Sequence, residues 1–341
     1  MTTMRIFKYA AFFLATIALV SVGGNRSAFA ANSAPAAGVA ERPTHLRLLA
    51  GPSGGQWHTA GERMATILTR DVAPTNSRIG GGVANIGDVD KRRGDIGFTL
   101  TCFLGAAQSG EQEYQDMASE NITLMTNVYP QVLYFLLRKD IAQKYSITGV
   151  ASLLKQNAPL RFAALRPGTA SEFILTMLLK YGYNTSYDTL RNQGWLLEFG
   201  NYAEIADNFV EGTIDCFAYT AGTEVPLILS MEKYAEVVVP PIEQNILDLL
   251  AKKFKTTTYT IMPGLYKSVT TPITTLGDST CLIVRKDFQD DLVFEITKAI
   301  WNNKDSLVNA VKDFQSLSPE NAMPPGFDIH PGAKKFWDSV K

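Results

Sequence analysis

From Thr44 onward, short apolar runs alternate with stretches in which apolar side chains recur every three or four residues. This is the pattern of β-α units feeding a largely parallel sheet. Residues 45–50 predict the first strand, and Ala60, Met64, Ile67 and Leu68 then fall on one helical face. A second strand is expected to end near Arg78, a helix carrying Ile86 and Val89 follows, and residues 95–100 predict a third strand. The middle of the chain repeats the arrangement. Residues 160–165 read as a strand and 171–182 as a helix with Phe173, Leu175, Leu178 and Leu179 on one broad face. Gly182 is expected to end that helix as a C-cap residue would. A further strand over 213–219 leads to Pro226, just inside the next helical stretch. The parallels suggest two similar lobes.

Two segments, 132–140 and 281–287, share an apolar run that ends in Arg-Lys-Asp and look like crossings between the lobes. The division that follows gives lobe I as residues 44–135 plus 282–341 and lobe II as 136–281. Two connecting segments would form a hinge and permit closure on a ligand.

The first thirty residues read differently. Arg5 and Lys8 precede an apolar run over 10–22 and then Ala28-Phe29-Ala30, the layout of an export signal cleaved after Ala30. A membrane anchor is the alternative, but the run is shorter than the roughly 20 residues a bilayer core demands. No cysteine stands at the cleavage point to carry a lipid. Residues 31–43, rich in Ala, Pro and Ser, read as a disordered leader. The expected location is the periplasm.

The 32 basic and 33 acidic residues leave a net charge of −1, and losing the signal's three cations, Arg5, Lys8 and Arg26, takes it to −4. A mildly acidic chain argues against a nucleic-acid partner. Cys102, Cys216 and Cys281 are odd in number and far apart, so no disulfide framework follows, although a Cys216–Cys281 bridge remains an alternative to free core thiols. His45, His58 and His330 are too scattered for a zinc site, and no cofactor is expected.

Open α/β sheets bind ligands beyond the carboxyl ends of their strands. The loops there are GPSGGQW, GGGVAN, FTLTC, RPGTAS and YTAGT, all rich in small or hydroxylated residues. They supply the candidate contacts Ser53, Gly54, Gly55, Gln56, Trp57, Gly81, Gly82, Asn85, Thr99, Thr101, Thr169, Ala170, Ser171, Thr220 and Gly222. Glycine lets backbone approach a ligand, and free amides at a helix N-terminus stabilise a carboxylate or phosphate. For any one loop, the alternative is that these residues only cap helices. Arg166, the one cation in these loops, is a candidate partner for an anionic group, with a solvated surface arginine as the alternative. Trp57 and Tyr129 are candidates to cover the ligand, against a default of core packing.

An enzyme reading competes. Gly51-Pro52-Ser53-Gly54-Gly55 fits the Gly-x-Ser-x-Gly elbow of serine hydrolases, with His330 late in the chain as the base. In those enzymes the elbow follows a central strand, whereas here it follows the first. GPSGGQWHT lacks the Lys-Ser/Thr pair of a phosphate loop, and Asn85 stands where a dinucleotide fingerprint needs its third glycine. Ser152-Leu153-Leu154-Lys155 has the spacing of a serine-lysine motif without its partner motifs and reads as an amphipathic helix.

In order along the chain, these loops resemble the TAXI family of TRAP-transporter solute receptors. GPSGGQW is similar to the family's Gly-Gly-x-Tyr loop, with Trp57 near the usual tyrosine. IGGGVANI resembles Thr-Gly-Gly-Ser-Val-x-Asn-Leu, keeping Gly81 and Asn85 while Ile79 and Gly82 replace two hydroxyls. RPGTASE matches a Pro-x-Gly-Ser-Gly-Thr-Glu loop loosely, and EGTIDCFAYTAG resembles Asp-Gly-x-Ile-Asp-Ala. IMPGLYKSVTTPITTLG and IHPGAKKFW are similar to the family's Ile-Pro-x-Gly-x-Tyr stretch and its terminal His-Pro-Gly-Ala-x-x-Tyr. The resemblance implies a two-lobed α/β periplasmic binding protein fold of type II with a hinged cleft, no catalysis, and delivery of a small anionic solute to a TRAP-type permease. A carboxylate, an oxo acid or an acidic amino acid is the expected ligand and a monomer the expected state. A sensor without transport is the alternative, and under the receptor reading His330 is structural.

Overall fold

The computed structural model describes residues 44–109, 119–155 and 159–341; the expected export signal and leader lie outside them. The chain begins β1 (Leu46–Leu49), α1 (Gln56–Asp71), β2 (Thr75–Arg78), α2 (Gly82–Asp90) and β3 (Ile96–Leu100), followed by the long strand β4 (Ile122–Arg138). A second series then repeats the first: β5 (Arg161–Leu165), the helix Ala170–Met177, β6 (Leu196–Gly200), the helix Tyr202–Val210 and β7 (Cys216–Ala221). β8 (Val237–Val238), β9 (Thr257–Ile261) and the second long strand β10 (Ile273–Arg285) complete the sheet, and C-terminal helices pack back on the first series. Every helix of the described residues is too short or too polar to cross a membrane.

The periodicity of α1 is met: Ala60, Met64, Ile67 and Leu68 are all buried. Within each series the strands run parallel, in the orders β2-β1-β3 and β6-β5-β7. β3 pairs antiparallel with β10, and β7 pairs antiparallel with β4. β4 and β10 are antiparallel to each other from Val132↔Gly277 to Ile122↔Arg285 and join everything into one mixed sheet of two lobes.

The two series match in detail. The Arg47 amide and guanidinium both donate to Asp95, as the Arg161 amide and guanidinium do to Asp215. Each buried aspartate thus locks the first strand of its series to the last. The shared Arg-Lys-Asp endings have the same local geometry: Arg138 Nε is 3.2 Å from Asp140, and Arg285 Nε is 3.0 Å from Asp287.

The sheet narrows at one place. β3 reaches β10 only from Thr280 onward, β9 leaves it at Gly277, and β7 meets β4 only from Val132. At Pro130 and Gln131 opposite Ser279 and Asp278, β4 and β10 are therefore paired only with each other.

Local differences from the sequence reading have physical reasons. The helix from Ala170 passes into a π-helical turn over Leu178–Gly182, and the left-handed residue that ends it is Asn184 (φ 50°) in place of Gly182. β7 starts at Cys216 because Thr213 and Ile214 spend their amides on the Asn208 carbonyl, closing the preceding helix around Gly212. Cys102, Cys216 and Cys281 are free thiols, all buried, and burial pushes each thiol above its ordinary value.

Candidate functional site

Because both series place their helix N-termini at the carboxyl ends of parallel strands, four of these N-termini meet at one cavity of about 920 Å³. α1 contributes Gly54, Gly55, Gln56 and Trp57, and α2 contributes Gly81 and Gly82. The second series contributes Thr169, Ala170 and Ser171 from one helix and Tyr202 and Ala203 from the other. The first amides of a helix have no intrahelical partner. α1 and α2 are capped by Gly55 and Gly81, which have no side chain to supply one. In the other two helices the caps Thr169 and Asn201 take only the third amide, that of Glu172 and Glu204 respectively.

Two seams bound the cavity. In the first, the α2 loop touches the 168–170 loop: a Cβ on Gly81 would stand 2.8 Å from the Gly168 carbonyl oxygen, and one on Gly82 2.8 Å from the Ala170 methyl. In the second, the C-terminal segment reaches the loop after β7. Buried Asp313 accepts from the Thr223 amide at 2.7 Å, from the Thr223 hydroxyl, and from Gln56 Nε2 at 2.8 Å. Gln56 Oε1 in turn accepts from the Gly222 amide at 2.7 Å, and Lys312 pairs with Glu224. The loop is held from behind, where Tyr134 Oη donates to the Gly222 carbonyl and Tyr266 Oη accepts from the Val225 amide. Tyr266 is the tyrosine of the IMPGLY stretch, so that motif shapes the second seam.

The floor lies at the two-strand neck. Gln131 lines it, and Thr280 Oγ1 accepts from both Gln131 Nε2 and Trp57 Nε1 at 2.9 Å. Burial raises the Tyr202 phenol above its ordinary value, so it stays neutral. Among the described residues no three His, Cys, Asp or Glu side chains gather to hold a metal.

Residues 48–339 match the NMT1-like family. The chain belongs to that family. Among solved structures, the malate-bound MatC protein of Rhodopseudomonas palustris is similar at 13% identity and a TM-score of 0.49, over 87% of this chain and 97% of that one. The periplasmic binding protein BugD is similar at 14% identity and 0.47, over 88% and 93%. An arginine-bound amino acid ABC transporter substrate-binding protein of Streptococcus pneumoniae is similar at 15% and 0.45, over 81% and 95%.

In this NMT1-like protein, Gly54, Gly55, Gln56, Trp57, Gly81, Gly82, Thr169, Ala170, Ser171 and Thr220 line the cavity together. The other seven candidates are outside the lining, each for a visible reason. Ser53 is exposed on its turn, and Arg166 is exposed at the surface. Asn85 is fully buried: its Nδ2 donates to the carbonyls of Leu49, Ala50 and Phe98, and its Oδ1 accepts from the Gly81 amide. Thr99 donates to the Gly82 carbonyl and Thr101 to Asp278. Tyr129 is buried against Phe314, and the Gly222 amide is taken by Gln56. The hydroxyls that do line the cavity have structural work as well, since Thr169 caps its helix and Ser171 Oγ accepts from the Thr220 amide.

Sequence reasoning missed Tyr202, Gln131, the 224–230 wall and the 308–312 segment. Tyr202 had a signal, because FGNYAE repeats the strand, small residue and helix order of the chosen loops. Residues 308–312 had none, being brought in by contacts 257 positions apart such as Gln56 to Asp313.

Proposed function

We propose that this chain is a periplasmic solute receptor that holds a carboxylate in the cleft between its lobes and releases it to a membrane transporter. The observation that carries the reading is the convergence of four helix N-termini, two of them capped by glycine, on one cavity. Their free amides and aligned dipoles favour an anion without needing a cationic side chain. The two-strand neck at residues 130–131 and 278–279 is the narrowest connection in the sheet and serves as the hinge. Dividing at the neck gives lobes of residues 44–129 with 280–341, and 132–277, a few residues from the division expected at 135 and 281.

Within the NMT1-like family, the order of the loops supports a TAXI-type receptor, exported with cleavage after Ala30 and delivering its ligand as a monomer to a TRAP-type permease. Ligand carried through purification, identified by mass spectrometry, tests the reading, together with a rise in melting temperature on adding organic acids. A chain that carries no small acid and is stabilised by none would refute it.

The hydrolase alternative loses its base. Gly332 N donates to His330 Nδ1, so the ring proton sits on Nε2 and is donated to the Phe288 carbonyl. Neither nitrogen is left to take a proton from Ser53. Ser53 is accordingly expected to remain unlabelled by a fluorophosphonate.

A further inference from the structure

The cavity's charge pattern narrows the ligand further, on the assumption that the cleft is the receptor site proposed above. Glu224 and Lys312 are the charged side chains among the described lining residues, and they neutralise each other across the second seam. Arg166, the cation expected from the sequence, is outside the lining. The N-termini of α2 and of the helix Ala170–Met177 meet at the first seam, whereas Val225, Leu227, Val308 and Val311 lie on the two chain segments joined at the second by Glu224 and Lys312. Val225 and Val311 are only 5% exposed, and Leu227 and Val308 are partly buried.

We infer that the ligand is a monocarboxylic acid with an apolar body, its carboxylate held by the helix amides and its body lying on the Val225, Leu227, Val308 and Val311 side chains. A second carboxylate at the apolar end would be buried without a partner, which is costly, or would compete with Glu224 for Lys312, a half-exposed cation that Glu224 already neutralises. An acidic amino acid adds an ammonium group that meets four positive helix ends. The volume of about 920 Å³ lies in the upper part of the roughly 300–1,000 Å³ range of small-molecule pockets, which suits a bulky body better than a compact diacid.

Calorimetric titration of the mature chain, refolded to remove carried ligand, tests this with matched probes. Hexanoate, octanoate and 3-phenylpropanoate represent the class, adipate adds a second carboxylate to the hexanoate chain, and hexanamide removes the charge. At least one monoacid is expected to bind tenfold or more tighter than adipate, and hexanoate is expected to bind tighter than hexanamide. The double variant Leu227→Asn, Val308→Asn is expected to weaken the best monoacid at least tenfold. Both positions are partly exposed, and a circular dichroism spectrum matching the wild type establishes that the variant is folded. Binding of adipate or glutamate at or above the level of every monoacid would overturn the apolar assignment while leaving the carboxylate receptor intact. Equal binding of hexanamide and hexanoate would overturn the anion site itself, and no binding of any acid would overturn both.

Discussion

Gly81 and Gly168 face each other across the cleft so closely that a Cβ on Gly81 would stand 2.8 Å from the Gly168 carbonyl oxygen. Gly81 has φ −155°, extended backbone that any residue adopts, so its requirement for glycine is steric and belongs to the contact between the halves. Gly55 against Tyr202, Gly82 against Ala170, and Gly222 against Asp313 and Gln56 repeat the situation. Gly81→Ala should therefore leave the separate lobes sound and hold the cleft ajar. Ligand affinity is expected to fall at least tenfold, about 1.4 kcal/mol. Calorimetry would measure the loss, and small-angle scattering of the liganded variant should retain the larger radius of the empty protein.

The latch at the second seam predicts a similar phenotype from different chemistry. Asp313→Ala deprives the Thr223 amide, the Thr223 hydroxyl and Gln56 of their shared acceptor. Hydrogen bonds to a charged group are worth about 1.5–3 kcal/mol each, but an opened cleft hydrates the freed donors and recovers most of that. The expected result is a roughly tenfold to hundredfold rise in Kd, seen mainly as faster ligand release in stopped-flow measurements.

Asn85 separates what the sequence could and could not disclose. Most of the repeated β-α units and small-residue loops were legible because they are written in local periodicity and turn chemistry, whereas β6 and the helix Tyr202–Val210 were not. Which side of a loop a polar side chain serves is a tertiary property, and Asn85, Thr99 and Thr101 all turn away from the cavity to satisfy buried backbone or Asp278. Asn85→Ala should behave as a stability variant, costing roughly 3 kcal/mol because three carbonyls and one amide lose their partner. Chemical denaturation would measure it, and a normal denaturation midpoint accompanied by lost binding would contradict it.

Arg166 supplies the opposite control. It was the most attractive anion partner in the sequence, yet it is exposed and outside the lining. Arg166→Ala is expected to change the affinity for any carboxylate by less than about twofold, the size of a weak, screened surface effect. A tenfold loss in calorimetry would return the guanidinium to the site.

His330 gives the molecule a pH dependence whose sign can be worked out. It caps the helix Pro331–Ser339 through Nδ1, is fully buried, and has its pKa lowered by burial against a smaller opposing effect of Asp290. The unfolded chain keeps an ordinary histidine near 6.5, so below that pH the unfolded state binds a proton that the folded state still refuses. Stability contributed by the neutral ring is thus complete above about pH 6.5 and is lost as pH falls from there through the lowered folded value, at no more than about 1.4 kcal/mol per pH unit. Asn is among the best N-cap residues, so His330→Asn should preserve the helix cap while removing the titration. Urea denaturation from pH 7.5 to 5 is expected to show a shallower fall in stability for the variant than for the wild type. Parallel curves would mean that His330 is not the group responsible.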